Sequence, residues 1–159
     1  MPTRLSGYGG EIYQYVGDEI VISWKVREGI HMNNCIECFF AMKREIKSQE
    51  SKYRGRFGVL PDFKAGCHVG NVTTGEIGVI KKEIIFTGDV LNTTARIQSL
   101  CNSYNVDLLI SGQLMQVLQL GPLQNMKAMG EAELRGRDEK VMLYTLLEAP
   151  VCSACKCDC

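Results

Sequence analysis

The stretch IIFTGDVLNTTARI (residues 84–97) predicts an apolar strand, a Gly-Asp turn and an amphipathic helix. Val90 and Ile97 recur at helical spacing, so their face of the helix is expected to pack inward. Asn92 and Arg96 share the opposite face, four residues apart. A carboxamide and a guanidinium can therefore reach one ligand together.

Asp89 stands where the N-cap of this helix is expected. The free backbone N–H groups at a helix N-terminus attract anions, and a strand-turn-helix junction points them at a ligand. Taken alone, Asn92 and Arg96 are more typical of a solvated helix face. A ligand site at these two residues therefore requires support from other segments of the chain.

Upstream, GGEIYQYVGDEIVISW (residues 9–24) alternates side chains with a period of two on both sides of a Gly-Asp pair. This pattern predicts a β-hairpin with Gly17 and Asp18 at its tip. An Asp in a turn most often bonds its own backbone. A carboxylate held at a sheet end and facing polyphosphate is also a natural Mg²⁺ ligand.

Four segments carry a family resemblance: YQYVGDEIV, AGCHVGNVTTGEIGV, GDVLNTTARIQSL and AELRGRDEKVMLYTL. In order and spacing they resemble the class III adenylate/guanylate cyclase catalytic domain, from about Gly9 to Glu148. The resemblance implies an α+β, ferredoxin-like cyclase domain over residues 9–149. Its sheet is expected to be mostly antiparallel, with flanking helices.

The resemblance also implies a head-to-tail homodimer with two sites at the subunit interface. Each site would convert ATP or GTP to the 3′,5′-cyclic nucleotide and pyrophosphate, using two ions of Mg²⁺ or Mn²⁺. Asp18 matches the second of the family's two metal-binding Asp residues. Asn92 matches the residue that orients the ribose, and Arg96 the one that stabilises charge on the α-phosphate. Arg135 matches the basic residue that grips the terminal phosphates, with Arg137 a near alternative.

Two positions that read the purine depart from the family pattern. Adenylate cyclases commonly have Lys where this chain has Gln14, and Asp or Thr where it has Ile85. Guanylate cyclases are expected to have Glu and a small polar residue or Cys there. Gln14 can bond either base edge, whereas Ile85 can bond neither. Substrate choice stays open, with ATP favoured on family frequency.

The family's opening strand, which carries the first metal-binding Asp, has no counterpart in MPTRLSGY (residues 1–8). We therefore expect an amino-terminally truncated domain that lacks the first strand, binds metal weakly and is inactive as this chain. The alternative is a non-catalytic cyclase-like module that dimerises or regulates a partner. The joint presence of Asp18, Asn92 and Arg96 favours an enzyme.

Charge and hydropathy exclude several classes of function. The 159 residues contain 18 basic and 18 acidic side chains, so there is no strong electrostatic case for nucleic acid or a membrane surface. No apolar run approaches the length of a transmembrane helix. We expect a cytoplasmic domain without a nucleic-acid or membrane partner.

The cysteines fall into two groups. Those on apolar or helical positions are expected to be reduced core residues, namely Cys35, Cys38, Cys67 and Cys101. The tail over residues 150–159 contains CxxCxCxC, which is dense enough to bind Zn²⁺ or Cu⁺. It could equally be a non-native extension.

The remaining pattern predicts the connecting elements. Apolar residues from Gly29 to about Ser48 predict a helix whose Met/aromatic stripe is core, and QESKYRGRFG (residues 49–58) a polar loop. VDLLIS (residues 106–111) predicts a buried strand, followed by a short helix. Gly70 is interpreted as a point of close packing rather than part of a phosphate cradle, and His68 as structural.

Overall fold

The computed structural model describes residues 6–77, 83–87, 89–120, 125–134 and 140–147. The strands are β1 (Glu11–Val16), β2 (Glu19–Ser23), β3 (Ala65–Cys67), β4 (Thr73–Ile77), β5 (Glu83–Thr87), β6 (Leu108–Ser111), β7 (Asn125–Glu133) and β8 (Lys140–Leu147). The α-helices are α1 (Val26–Ile30), α2 (Asn34–Ser48), α3 (Glu50–Phe57), α4 (Asp89–Ser99), α5 (Cys101–Tyr104) and α6 (Gly112–Val117), with short 3₁₀ turns at Ser6–Tyr8 and His31–Asn33.

A four-stranded sheet in the order β3-β6-β8-β7 forms the centre of the described structure. Only its β3-β6 pair is parallel, and β6-β8 and β7-β8 are antiparallel. The hairpins β1-β2 and β4-β5 each form a separate two-stranded sheet. The predicted α+β architecture, with a mostly antiparallel sheet and flanking helices, is confirmed.

Strand β6 separates two hydrophobic clusters, and all four of its residues are buried. Leu108 and Ile110 pack with Ile36 and Phe39 of α2. Leu109 points to the other cluster, which contains Ile97 of α4. Because side chains alternate along a strand, one short apolar run holds helices on both of its faces. The predicted buried strand is therefore confirmed.

The β1-β2 hairpin is confirmed, with a two-residue turn between Val16 and Glu19. Gly17 has a φ of 61°, which this kind of turn requires and glycine adopts at little cost. Much of the hairpin is exposed, including Tyr15 at 70%. Several apolar side chains of the hairpin are therefore exposed to solvent.

The predicted polar loop at residues 49–58 is wrong, because Glu50–Phe57 forms helix α3. Arg54 pairs with Glu50 one turn earlier at 2.6 Å, and the Tyr53 and Phe57 rings lie 6.4 Å apart at the same spacing. Such pairs stabilise a helix that buries none of its residues. The helix ends at Gly58, which is left-handed.

The helix predicted from Gly29 to Ser48 ends at Ser48 but is broken near its start. Met32 and Asn33 both have left-handed backbone conformations, and Met32 is 73% exposed rather than core. The Asn33 amide donates to the Gln119 carbonyl, and the Gln119 N–H donates back to Asn33 Oδ1, both at 3.0 Å. These two hydrogen bonds hold the break open.

In the part of the chain that the structure describes, no helix is long and apolar enough to cross a membrane. The predictions for residues 1–5, for Arg135 and for the cysteine-rich tail lie outside the described residues. The opening residues, the phosphate-gripping arginine and the tail therefore stay predictions.

Candidate functional site

Helix α4 presents the two candidate catalytic side chains outward. Thr93 and Ile97 are fully buried beneath it, at 0% exposure. Asn92 is exposed and Arg96 is half-buried. The amphipathic helix predicted from the sequence is confirmed, and its polar face carries an amide and a guanidinium that solvent can reach.

The start of α4 differs by one residue from the expectation. The helix begins at Asp89 itself, so this residue lies in the first turn rather than at the N-cap. The buried hydroxyl of Thr93 donates to Asp89 Oδ2 at 3.3 Å, and Thr94 Oγ1 donates to the Val90 carbonyl at 2.7 Å. A carboxylate in the first turn still favours the helix through its dipole.

The hairpin carries the other described site candidates. Asp18 is exposed in the turn between β1 and β2, and Gln14 is exposed on β1, opposite Val21. Both side chains are therefore accessible to a ligand. They lie on a different sheet from the one that supports α4, so the site candidates stand in two groups on separate elements.

Ile85, the candidate for purine recognition, is described by its backbone alone, and Arg135, the candidate for binding the terminal phosphates, is not described. The backbone of Ile85 pairs with that of Gly75 in the β4-β5 hairpin, which precedes α4. The side chain of Ile85 and the whole of Arg135 lie outside the described part of the structure. Their predicted roles stay predictions.

The described residues do not by themselves build a divalent-metal site. Among them there is no group of three or more His, Cys, Asp or Glu side chains that could hold a metal ion. Asp18 offers one exposed carboxylate, whereas Mg²⁺ needs near-octahedral oxygen coordination. The described residues therefore supply one candidate metal ligand rather than a complete site.

His68 has the structural role expected of it. Its Nδ1 lies 2.8 Å from the hydroxyl of Ser111, the fully buried N-cap of α6. The same hydroxyl accepts from the Leu114 N–H at 3.2 Å. The ring thus ties the end of β3 to the start of α6.

The four cysteines predicted to be core residues are free thiols. Burial raises the pKa of Cys35, Cys38 and Cys101 from 9.0 to about 11. Burial raises the pKa of Cys67 further still. Protonated thiols are poor nucleophiles and poor metal ligands, so these cysteines belong to the core rather than to the chemistry.

Sequence reasoning missed two residues that shape the site. Thr93 is polar yet fully buried, and its bond to Asp89 satisfies its hydroxyl. Gly66 sits in the middle of β3, where the backbone of α4 passes close to it. A glycine inside a short strand is itself a signal of close backbone approach.

Comparison with known proteins gives one consistent result. The family model described as "Adenylate and Guanylate cyclase catalytic domain" matches residues 10–148. Adenylate cyclase 2 of Rhizobium meliloti (strain 1021) is 35% identical over 139 residues, covering 87% of this chain and 38% of the relative. The chain thus spans little more than a third of that protein.

Solved structures show the same fold at lower identity. A bacterial light-regulated adenylyl cyclase superposes with a TM-score of 0.75 at 22% identity, covering 92% of this chain and 41% of the other. The adenylyl cyclase CyaB from P. aeruginosa superposes with a TM-score of 0.74 at 18% identity, covering 92% and 76%. These proteins share the ferredoxin-like cyclase fold.

Proposed function

Because the chain belongs to the adenylate and guanylate cyclase catalytic-domain family, we propose that it converts a purine nucleoside triphosphate to the 3′,5′-cyclic monophosphate and pyrophosphate. ATP is the favoured substrate, with GTP as the other. The observation that carries the proposal is the polar face of α4, where exposed Asn92 and half-buried Arg96 stand on a buried base of Thr93 and Ile97. A rigid helix suits a site whose parts must hold still during the reaction.

In this proposal Arg96 stabilises the negative charge that grows on the α-phosphate as the ribose 3′-oxygen attacks. A guanidinium matches the planar, bidentate geometry of phosphate oxygens. Asn92 accepts and donates hydrogen bonds at the ribose and so holds the attacking oxygen in line. Arg135 is the proposed partner of the terminal phosphates.

Asp18 is the proposed metal ligand for Mg²⁺ or Mn²⁺. One carboxylate does not hold a catalytic ion, so the proposal requires further ligands from beyond the described residues. The ions would supply charge neutralisation at the triphosphate and a more acidic 3′-hydroxyl.

We further propose that the active form is a cytoplasmic head-to-tail homodimer, with Asp18 from one protomer and Arg96 from the other in each site. Two observations support an assembled form. Gln14 and Asp18 stand on a different element from Asn92 and Arg96. The hairpin leaves apolar side chains exposed, among them Ile12 at 40% and Val16 at 51%. A two-fold axis would generate two equivalent sites.

A second candidate function is a non-catalytic module that dimerises or regulates a partner. The exposed apolar side chains of the β1-β2 hairpin favour it, because they offer a surface to a partner. The face of α4 argues against it, because dimerisation alone needs neither an amide nor a guanidinium four residues apart.

Assay of this 159-residue polypeptide alone, with Mg²⁺ or Mn²⁺, is expected to show at most traces of cyclic nucleotide. The physical reason is that Asp18 is the one proposed metal-binding carboxylate, and no group of three or more His, Cys, Asp or Glu side chains among the described residues could hold the ion. Chromatographic detection of the cyclic nucleotide and pyrophosphate from ATP and GTP provides the measurement. Turnover comparable to that of an intact cyclase domain would contradict the incomplete-site argument.

The proposed function itself is tested on what we call the rebuilt domain: this chain extended at its amino-terminus by the opening strand and helix of a class III cyclase. It should form cyclic nucleotide and pyrophosphate in equal amounts. If a correctly folded rebuilt domain forms neither, the non-catalytic candidate is favoured.

Discrimination between ATP and GTP in the rebuilt domain is expected to be weak. Ile85 cannot hydrogen-bond, and the Gln14 amide can turn to suit either base, which forfeits most of the roughly 1–3 kcal/mol of a discriminating hydrogen bond. The double substitution Gln14→Lys and Ile85→Asp should sharpen kcat/KM toward ATP. Strong ATP selectivity before substitution, or none gained after it, would place base recognition elsewhere.

A further inference from the structure

Residues 64–70, which we call the β3 track, approach α4 and α5 at several points. Lys64 Nζ donates to Asn102 Oδ1 at 2.8 Å, and the Cys101 thiol donates to the Ala65 carbonyl at 3.4 Å. Gly66 then passes the backbone of α4. Residue numbers rise along the β3 track while those of the helix residues that it contacts fall, so the track and the helices run antiparallel.

The closest approach along the β3 track is at Gly66. A Cβ placed on Gly66 would lie 2.6 Å from the Gln98 backbone nitrogen and 2.8 Å from the Thr94 carbonyl oxygen. Both neighbours are main-chain atoms of α4, which cannot rotate aside as a side chain can. Glycine is required at this position by space.

A second close approach lies near the start of α4, at Gly70. A Cβ there would meet Val90 Cγ2 at 2.5 Å. In this case the obstacle is a side chain rather than the main chain. Both glycines therefore lie close to α4, but a larger side chain is accommodated more easily at Gly70, where the Val90 side chain can move.

The site residues lie between these contact points. Asn92 falls between positions 90 and 94 of α4, and Arg96 between 94 and 98. Residues two apart on an α-helix are separated by about 200°, so the site residues project from the side opposite the β3 track. Any outward shift of the helix on the track is transmitted directly to both side chains.

We propose that Gly66 and Gly70 are positioning residues of the cyclase reaction, because they set the depth at which α4 lies on the sheet. This inference rests on the proposed function. Ordinary contact begins at 3.4 Å, so a methyl group 2.6 Å from the Gln98 nitrogen needs about 0.8 Å more room, and we expect α4 to move outward to provide it. A displacement of that size at a reacting centre costs on the order of 10²-fold in rate.

Gly66→Ala in the rebuilt domain is expected to lower kcat by roughly 10- to 100-fold, while KM stays within about two-fold. Assays are run well below the melting temperature of each variant. Gly55→Ala is the matched control, because a Cβ at Gly55 on α3 meets nothing within 4 Å, and it should leave kcat unchanged. Ile36→Val, in the buried core of α2, controls for destabilisation away from the β3 track.

Gly70→Ala adds a rescue test that a general loss of stability would not satisfy. It should lower kcat in the same way, and the double variant Gly70→Ala, Val90→Ala should recover most of it, because the obstructing methyl group is removed. At Gly66 the three nearest atoms to an added Cβ are main-chain atoms of Gln98 and Thr94, so Val90→Ala should not rescue Gly66→Ala.

Hydrogen exchange on the 159-residue chain gives a readout that is independent of activity. Gly66→Ala should lower the protection of the α4 amides, with little change in α2. If the unsubstituted rebuilt domain is inactive, both the proposed function and this inference are wrong. An active rebuilt domain in which Gly66→Ala keeps its kcat and its α4 protection overturns the inference alone.

Discussion

Replacing Arg96 with Ala in the rebuilt domain lowers kcat by on the order of 10²-fold or more and leaves KM nearly unchanged. The reason is that the guanidinium contact strengthens as charge develops on the α-phosphate, so its loss is felt in the transition state more than in the bound substrate. Arg96 is half-buried, and the helix that carries it is anchored by the fully buried side chains of Thr93 and Ile97.

Two variants make the Arg96 result specific. Arg96→Lys keeps the charge but loses the planar fork, and it should recover only part of kcat. Arg56→Ala removes an exposed arginine from α3 and should change neither constant. If Arg96→Ala raised KM alone, Arg96 would be a ground-state binder and its assigned role wrong.

Replacing Ile97 with Ala is expected to lower the free energy of unfolding by about 2–5 kcal/mol, because it opens a cavity beneath α4. Ile97 is 0% exposed and packs in the cluster that contains Leu109 and Leu143. Denaturant titration monitored by circular dichroism provides the measurement, with the slope of the transition checked for a two-state change.

Asn92→Ala is the matched control, five residues earlier and on the exposed face of the same helix. Its effect on unfolding should stay within about 0.5 kcal/mol, while it lowers cyclase activity of the rebuilt domain. A cost below about 1 kcal/mol for Ile97→Ala would show that α4 is not anchored through this side chain.

The elements that could be predicted from the sequence are those set by local pattern. Helix α4 and the first hairpin follow from side-chain periods of 3.6 and 2 over short windows, and Gly17 with Asp18 marks the turn. The polar side of α4 could be predicted for the same reason. The four-residue spacing between Asn92 and Arg96 was enough to predict that both lie on one helix face.

Other features depend on partners far away in the chain and could not be predicted. The break at Met32 and Asn33 is held by hydrogen bonds to Gln119, 86 residues beyond Asn33. Helix α3 was missed because it buries no residue and so shows no apolar period. The role of Gly66 requires knowing that α4 crosses β3, which depends on the tertiary fold.

How the hairpin and α4 combine into one site could not be predicted from the sequence. The motifs identify Asp18 and Arg96 separately, and the structure places them on separate elements. Local pattern contains no information on which protomer supplies each residue. In the proposed dimer, each site takes Asp18 from one protomer and Arg96 from the other.

The most direct test mixes two defective protomers, Asp18→Asn and Arg96→Ala, in the rebuilt domain. Each homodimer should be nearly inactive, because both of its sites carry the same defect. A mixed dimer has one site with both defects and one with neither, so random pairing of equal amounts should restore about a quarter of the unsubstituted cyclic-nucleotide production. Mixtures no more active than the separate variants would contradict a cyclase site shared between Asp18 of one protomer and Arg96 of the other.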